Sequence, residues 1–135
     1  MRRIILMLLL AVVSGSATAE WVPINRDGHI TFYIDPATTL KAGDRVRMWD
    51  LFNFETAQAV PGNETAEFLS SKTQQEFDCR EKRYRILYVH FHAEKMGLGK
   101  LVQSQAGNAA WEPVPGNGVL AILWKFACGK QVPSG

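Results

Sequence analysis

The chain is poor in the residues from which most catalytic and metal sites are built. Its 135 residues include only two cysteines and three histidines. No Gly-x-Ser-x-Gly elbow is present, and the sequence holds no internal repeat, low-complexity tract or interdomain linker. A nucleophile, a base and an orienting group do not occur together, so we expect a non-enzymatic protein without catalytic residues or a cofactor.

Long apolar runs are also scarce, and the longest one stands at the N-terminus. Arg2 and Arg3 precede ten apolar residues, 4–13, and a polar stretch that ends in Ala17-Thr18-Ala19. This is the pattern of a cleaved secretory signal, and the run is half of the roughly 20 residues that span a membrane. We expect cleavage after Ala19, which leaves one soluble exported domain, 20–135, in the periplasm or at the cell surface.

A surplus of one charge is missing as well. Of the 15 basic residues, Arg2 and Arg3 leave with the signal, and those that remain balance the 13 acidic residues. Nucleic acids and anionic membranes attract proteins with a strong positive field, so we expect neither as a partner. The residue directly after the cleavage site is Glu20 and not a cysteine, and we therefore expect no lipid anchor. Any electrostatic recognition must then be local.

The two cysteines, Cys79 and Cys128, predict one disulfide, because exported proteins fold in oxidising compartments. The bridge would close a loop of about 50 residues, which the chain-entropy argument values at about 4 kcal/mol. A nucleophilic thiol would need a neighbouring base, and a structural zinc site would need four ligands at tight spacings. We therefore prefer the disulfide to both alternatives.

Short β-strands separated by turn signals dominate the chain after residue 20. Strands are predicted at 29–35, 45–54, 84–92 and 101–105, and a turn at 80–83 folds the segment from Ser70 into a hairpin. Residues 55–70 lack a clear period, and "VPGNET" predicts a surface loop. The run 117–129 fits a strand or a helix, but Asn117 as N-cap and Gly129 as C′ residue favour the helix. The predicted fold class is α+β: a small antiparallel sheet of five or six strands with one C-terminal helix and a single disulfide.

A basic cluster at the predicted turn is the leading candidate for a binding site. It comprises Arg80, Lys82, Arg83 and Arg85. Side chains at a hairpin tip project together, and arginine forks suit carboxylates or sulfated sugars. The alternative is a solvated turn, since Glu76, Asp78 and Glu81 neutralise the cluster locally.

The histidines and the aromatic residues are weaker candidates. His90 and His92 share one face of a strand and could bind a metal with His29, but a structural or catalytic site needs at least three protein ligands. We therefore expect no metal site. Instead, we expect His90 and His92 to be histidines without a special role that share a strand face with Tyr84, Ile86 and Tyr88. Aromatic residues could also line a ligand groove, although in so small a domain they more commonly belong to the hydrophobic core. The candidates are Trp49, Phe52, Tyr88, Trp111 and Trp124.

Several segments, taken in order, carry a resemblance to a known family. They are Trp21, "FYID" at 32–35, "GDRVRMWDL" at 43–51, "SSKTQQEFDC" at 70–79, "YRIL" at 84–87, "MGLGK" at 96–100, Trp111, "PVPGNG" at 113–118 and Cys128. This set resembles the surface-adhesin protein E family of Gram-negative bacteria over nearly the whole mature domain. The resemblance implies an exported domain with an antiparallel sheet, a helix near the C-terminus and a disulfide, which binds host extracellular-matrix or serum proteins.

Two hypotheses about function follow. The first is an exported, non-enzymatic, adhesin-like domain that binds a protein partner. The alternative is a soluble periplasmic inhibitor or envelope accessory protein, a small disulfide-closed domain that blocks a hydrolase or supports assembly. The two differ in where the protein lies in the cell, so its location is the most informative measurement.

Overall fold

The computed structural model describes residues 20–129; the predicted signal, 1–19, and residues 130–135 lie outside the described part. Residues 20–129 form seven strands and one α-helix, which confirms the predicted α+β class. The strands are β1 (Val22–Asp27), β2 (Ile30–Ala42), β3 (Arg45–Val60), β4 (Asn63–Asp78), β5 (Arg83–His92), β6 (Leu101–Ala106) and β7 (Glu112–Pro113). The helix α1 spans Val119–Ala127, and a short 3₁₀ turn, Lys95–Gly97, lies between β5 and β6.

The sheet is antiparallel, and its order is β1-β2-β3-β4-β5-β6, so each strand pairs with the next one along the chain. The two residues of β7 pair with the start of β5. Tight turns join the first four strands, and Gly28, Gly43 and Gly62 adopt φ angles of 57°, 61° and 80° in them. Glycine enters this left-handed region at little cost, which allows successive strands to reverse direction within a few residues.

The surface loop predicted at "VPGNET", 60–65, is only a two-residue turn, and the rest of the stretch without a clear period, 55–70, is strand. Strand β3 continues to Val60 and β4 begins at Asn63, so that only Pro61 and Gly62 form the turn. The register of β3 against β4 shifts twice in this part of the hairpin. Such bulges interrupt the alternation of side chains between the two faces, which removes the period of two that marks a strand in a sequence.

Helix α1 covers one face of the sheet, which we call the helix face. The buried side chains packed there are Ile34, Val46, Met48, Phe77 and, from the helix, Leu123. The predicted helix is confirmed, but its N-cap residue is Gly118, with φ of 88°, and not Asn117. Gly129 has a φ of 63°, as expected of a residue that ends a helix in the left-handed conformation.

The predicted disulfide between Cys79 and Cys128 is confirmed, with a Cα–Cα distance of 5.6 Å. It joins the residue after β4 to the residue after α1. The indole Nε1 of Trp124 also donates a hydrogen bond of 3.1 Å to the carbonyl oxygen of Asp78. The helix is therefore tied to the end of β4 by one covalent and one polar contact.

The opposite face of the sheet, which we call the loop face, is covered in part by the connections 93–100 and 107–118. His90 and His92 share this face as predicted, but Tyr84 and Ile86 do not accompany them. Gln74 pairs with Tyr88 whereas Gln75 pairs with Ile86, so Leu87 is an extra residue in β5. This bulge turns Tyr84 and Ile86 to the helix face, where Tyr84 packs against the core.

Candidate functional site

At one end of the loop face, arginines flank two carboxylates of β4. Asp78 lies opposite Arg45 and Arg83, and Glu76 lies opposite Arg47 and Arg85, on the two neighbouring strands. Arg47 Nε and Arg85 Nε each donate to Glu76 at 2.8 Å, and Arg83 Nη2 donates to Asp78 at 2.9 Å. Opposite charges placed directly across neighbouring strands stabilise the sheet. We call these six residues the arginine ladder.

Both carboxyl groups of the arginine ladder are held in the ionised form. Burial acts to raise the pKa of Glu76, but hydrogen bonds from its two arginine partners outweigh burial and hold that pKa below its ordinary value. The pKa of Asp78 is also lowered, first by the backbone N–H of Glu81 and then by the guanidinium of Arg83. The negative charges therefore persist at neutral pH and fix the arginines in place.

Trp111 lies over the arginine ladder. The guanidinium carbons of Arg85, Arg83 and Arg45 are 4.5, 5.1 and 5.3 Å from the centroid of its indole. A guanidinium at such a distance from an aromatic ring is attracted to the ring face. The connection 107–118 reaches this position by running close to β5, where the N–H of Gly107 donates to the Leu87 carbonyl at 2.9 Å.

The predicted basic cluster is divided between two places. Arg80 and Lys82 lie exposed on the β4–β5 turn, whereas Arg83 and Arg85 belong to the arginine ladder. The ladder also includes Arg45 and Arg47, which were not among the predicted site residues. Their spacing of two along β3, matching that of the two carboxylates in β4, was the signal that could have revealed them.

A cavity of about 600 Å³ opens at the other end of the loop face. Its apolar walls are formed by Trp21, Trp49, Met96 and Leu98, and its polar side chains are those of Asp35, Thr38, Lys72 and His90. Segments that carry the family resemblance meet here, because Trp21, "FYID", "GDRVRMWDL", "SSKTQQEFDC" and "MGLGK" each contribute a lining residue. We call this site the tryptophan cavity. Trp49, which was predicted to belong either to the core or to a ligand groove, therefore lines a groove.

Side chains of β3 and β4 hold the connection after β5 in place beside the tryptophan cavity. Asn53 Oδ1 accepts a hydrogen bond of 2.9 Å from the N–H of Met96. The Ser70 hydroxyl accepts one of 2.8 Å from the N–H of Gly97 and donates one of 2.6 Å to the carbonyl of Glu94. These bonds satisfy backbone polar groups of the turn. They also stabilise the φ of 62° at Met96, a value that residues other than glycine rarely adopt.

Lys72 brings a positive charge into the tryptophan cavity. It lies opposite Leu51 and His90 in the sheet, and within residues 20–129 it forms no ion pair. Its aliphatic stem lies along Gly97, where an added Cβ would come within 3.0 Å of Lys72 Cδ. Burial, and then the charge of Lys72, lower the pKa of His90, so that its imidazole is neutral at pH 7.

The three histidines do not come together. His29 lies at the β1–β2 turn, with Nδ1 2.8 Å from Glu55 Oε2, whereas His90 and His92 lie on β5. Among residues 20–129, no group of three or more histidine, cysteine, aspartate or glutamate side chains is placed to hold a metal ion. The same described part of the chain contains no helix with the length and apolar character needed to cross a membrane.

Solved structures with the same fold come from Haemophilus influenzae, whereas no curated protein matches the sequence. A structure of protein E from this organism superposes with a TM-score of 0.60 at 13% identity, covering 81% of this chain and 83% of that chain. Its crystal form II gives 0.59 at 14% identity, covering 73% and 80%. Protein E from a non-typeable strain gives 0.53 at 14% identity, covering 73% and 69%. At this level of identity, the similarity shows a shared fold alone.

The family comparison reaches further than the structural one. The sequence profile of the family described as surface-adhesin protein E matches residues 21–129. The match begins at Trp21, beside the tryptophan cavity, and ends at Gly129, directly after the second cysteine of the disulfide. It therefore includes every strand, the helix, the arginine ladder and the tryptophan cavity. The chain belongs to the surface-adhesin protein E family.

Proposed function

We propose that this protein is an exported, non-enzymatic domain that binds a protein partner. The observation that carries the proposal is its membership of the surface-adhesin protein E family over residues 21–129. The signal pattern of residues 1–19, with cleavage after Ala19, supports export. By the same resemblance, the partner class is a host extracellular-matrix or serum protein.

The binding surface that we propose is the end of the loop face that carries the arginine ladder and the β4–β5 turn. Four arginines of the ladder outnumber its two carboxylates, and Arg80 and Lys82 add two exposed cations beside it. Because Glu76 and Asp78 fix the guanidinium groups, little side-chain entropy is lost when a partner binds them. Such a surface complements an acidic patch on a protein.

Location in the intact cell tests the adhesin-like role. We expect an antibody against the folded domain to label intact cells, and a protease added outside the cells to remove the protein. The control is a known periplasmic protein, which should resist both treatments. Protein confined to the periplasm would contradict the direct adhesin role and would favour the alternative, a periplasmic inhibitor or envelope accessory protein.

The binding surface is tested on the two turn residues, because replacement of Arg83 would remove the ion pair of buried Asp78 and replacement of Arg85 one of the two ion pairs of buried Glu76. We expect the double variant Arg80→Gln with Lys82→Gln to bind immobilised basement-membrane extract and serum proteins more weakly, with a flatter salt dependence. The matched control is Lys95→Gln with Lys100→Gln, which removes two exposed charges elsewhere. Equal binding by both double variants would assign the turn to a merely solvated role.

A further inference from the structure

The tryptophan cavity lies at the end of the loop face that the proposed function does not use, and its walls suit an apolar ligand. Trp21, Trp49, Met96 and Leu98 present indole, thioether and aliphatic groups to the same space. Leu98 is 63% exposed, so a ligand in the cavity would remove a large apolar side chain from water. A volume of about 600 Å³ lies within the range of sites that bind small molecules.

Two opposite charges stand on different strands of this cavity. Asp35, on β2, is 5% exposed, and its Oδ1 accepts a hydrogen bond of 3.2 Å from the N–H of Ala37. Lys72, on β4, carries an ammonium group that has no carboxylate partner among residues 20–129. Asp35 and Lys72 do not pair with each other, so each retains the capacity to bind a charged group of a ligand.

The sheet register places these two charges far enough apart for a ligand to lie between them. Asp35 is opposite Trp49, Trp49 is opposite Gln74, and Lys72 is two residues from Gln74 along β4. Two strand spacings and one two-residue step separate the Cα atoms of Asp35 and Lys72 by roughly 12 Å. The indole of Trp49 lies between them, with the imidazole of His90 5.4 Å from its centroid.

This arrangement selects among the possible classes of ligand. An apolar anion such as a fatty acid would gain the charge of Lys72 but would be repelled by Asp35, and an apolar cation would suffer the reverse. A molecule with a positive group at one end, a negative group at the other and an apolar body satisfies both charges and all four apolar walls. Short peptides with free termini have this chemistry.

We propose that the tryptophan cavity binds peptides of two or three apolar residues with free termini. Asp35 holds the terminal ammonium group, Lys72 holds the terminal carboxylate, and the side chains lie against Trp21, Trp49, Met96 and Leu98. The neutral imidazole of His90 offers one further hydrogen-bonding group on the floor. The site does not involve the arginine ladder or the β4–β5 turn, so it can be tested independently of the proposed function.

The experiment measures binding of trileucine and its blocked derivatives to the purified mature protein by isothermal titration calorimetry. We expect trileucine to bind about tenfold more tightly than N-acetyl-trileucine or trileucine amide, since each blocked derivative loses one charged contact. Lys72→Met should remove the preference for the free carboxylate alone. Asp35→Asn, which keeps the acceptor for Ala37, should remove the preference for the free ammonium group alone. Lys100→Met is the matched control and should keep both preferences.

Three results would overturn the proposal. The first is absence of trileucine binding by the unaltered protein at millimolar concentration, and the second is equal affinity for the free and the blocked peptides. The third is tighter binding of decanoate than of trileucine, because it would show that Asp35 does not exclude anions. The comparison of free with blocked peptides needs no variant, so the proposal stays testable even where a substitution prevents folding.

Discussion

The two ends of the loop face differ in whether their charged side chains form ion pairs. At the arginine ladder, Glu76 is nearly buried and lies opposite an arginine on each side, and Trp111 covers three of the guanidinium groups. At the tryptophan cavity, Lys72 lies opposite Leu51 and His90 and has no ion pair within residues 20–129. Three of the four arginines of the ladder are thus ion-paired, whereas Lys72 is not.

Strand β4 passes through both ends, so the difference comes from the strands beside it. The side chains opposite β4 are arginines from β3 and β5 at the ladder, and an aliphatic and an imidazole group at Lys72. Paired charges stabilise the sheet, whereas the ammonium group of Lys72 gains no such pairing. A lysine in such a position is therefore a candidate to bind a ligand.

The largest expected effect concerns a buried carboxyl group that has no arginine. Asp50 lies on the helix face, fully buried, and burial raises its pKa to about 8 against the opposing hydrogen bond from Gln75. The folded protein thus holds a proton that the unfolded chain releases near pH 4, so this group lowers stability as pH rises from about 4 to about 8. Its slope is up to about 1.4 kcal/mol per pH unit.

Asp50→Asn removes this contribution, and we expect the stability advantage of the variant to grow steadily between pH 5 and pH 8. Urea denaturation of both proteins at each pH measures it, and Asp44→Asn, an exposed carboxyl group near the same strand, is the control. Parallel stability curves for the unaltered protein and Asp50→Asn would contradict the prediction. Such curves would mean that burial does not hold the Asp50 carboxyl group in its protonated form.

The second-largest expected effect comes from a glycine next to the arginine ladder, in the connection that carries Trp111. A Cβ on Gly107 would overlap the carbonyl of Ile86, so Gly107→Ala should push the connection away from β5 and lift Trp111 from the guanidinium groups. We expect a loss of about 3 kcal/mol in the free energy of unfolding. Gly116→Ala is the matched control, because nothing lies within 4 Å of a Cβ there. Equal stability of the two variants would show that the close approach of Gly107 is not required.

The third-largest expected effect comes from a carboxylate of the arginine ladder itself. Glu76→Gln keeps the shape of the side chain but removes the charge that Arg47 and Arg85 share, and we expect a loss of about 2 kcal/mol at pH 7. The pKa of Glu76 is lowered in the folded protein, so its stabilising effect is present above pH 4.5 and is lost as pH falls through the folded value. The gap between the variant and the unaltered protein should therefore narrow in acid.

Glu81→Gln provides the control for that measurement, because Glu81 lies exposed on the β4–β5 turn and has no ion pair in the described part of the chain. Its stability should change by less than about 0.5 kcal/mol. A loss for Glu76→Gln as small as that of the control would mean that the ladder holds its arginines without stabilising the sheet.

Sequence patterns predicted the features that depend on neighbouring residues. The turn signal at 80–83 predicted the hairpin of β4 and β5, and Gly129 marked the end of the helix. Bulges were not predictable, because an extra residue such as Leu87 leaves no local signal and yet reverses the faces on one side of it. This is why Tyr84 and Ile86 were assigned to the wrong face.

The tryptophan cavity could not be predicted either, for a related reason. Its residues come from segments between Trp21 and Leu98 that carry no common motif. Trp49 and Lys72 meet because the β3–β4 register places them near each other although they lie far apart in the sequence. The arginine ladder required less information, since two arginines and two carboxylates with the same spacing sit on adjacent strands.

The smallest expected effect tests whether the positive charge of Lys72 acts in the cavity without being screened. Burial and then Lys72 lower the pKa of His90, so Lys72→Met should raise that pKa towards its ordinary value while burial still holds it down. A pH titration of the His90 ring by NMR measures the shift, and Lys100→Met, which removes an exposed charge, should leave it unchanged. If Lys72→Met also leaves the titration unchanged, solvent or an anion already screens the ammonium group. The charge of Lys72 would then be compensated like that of the ion-paired arginines of the ladder, and this difference between the two ends of the loop face would disappear.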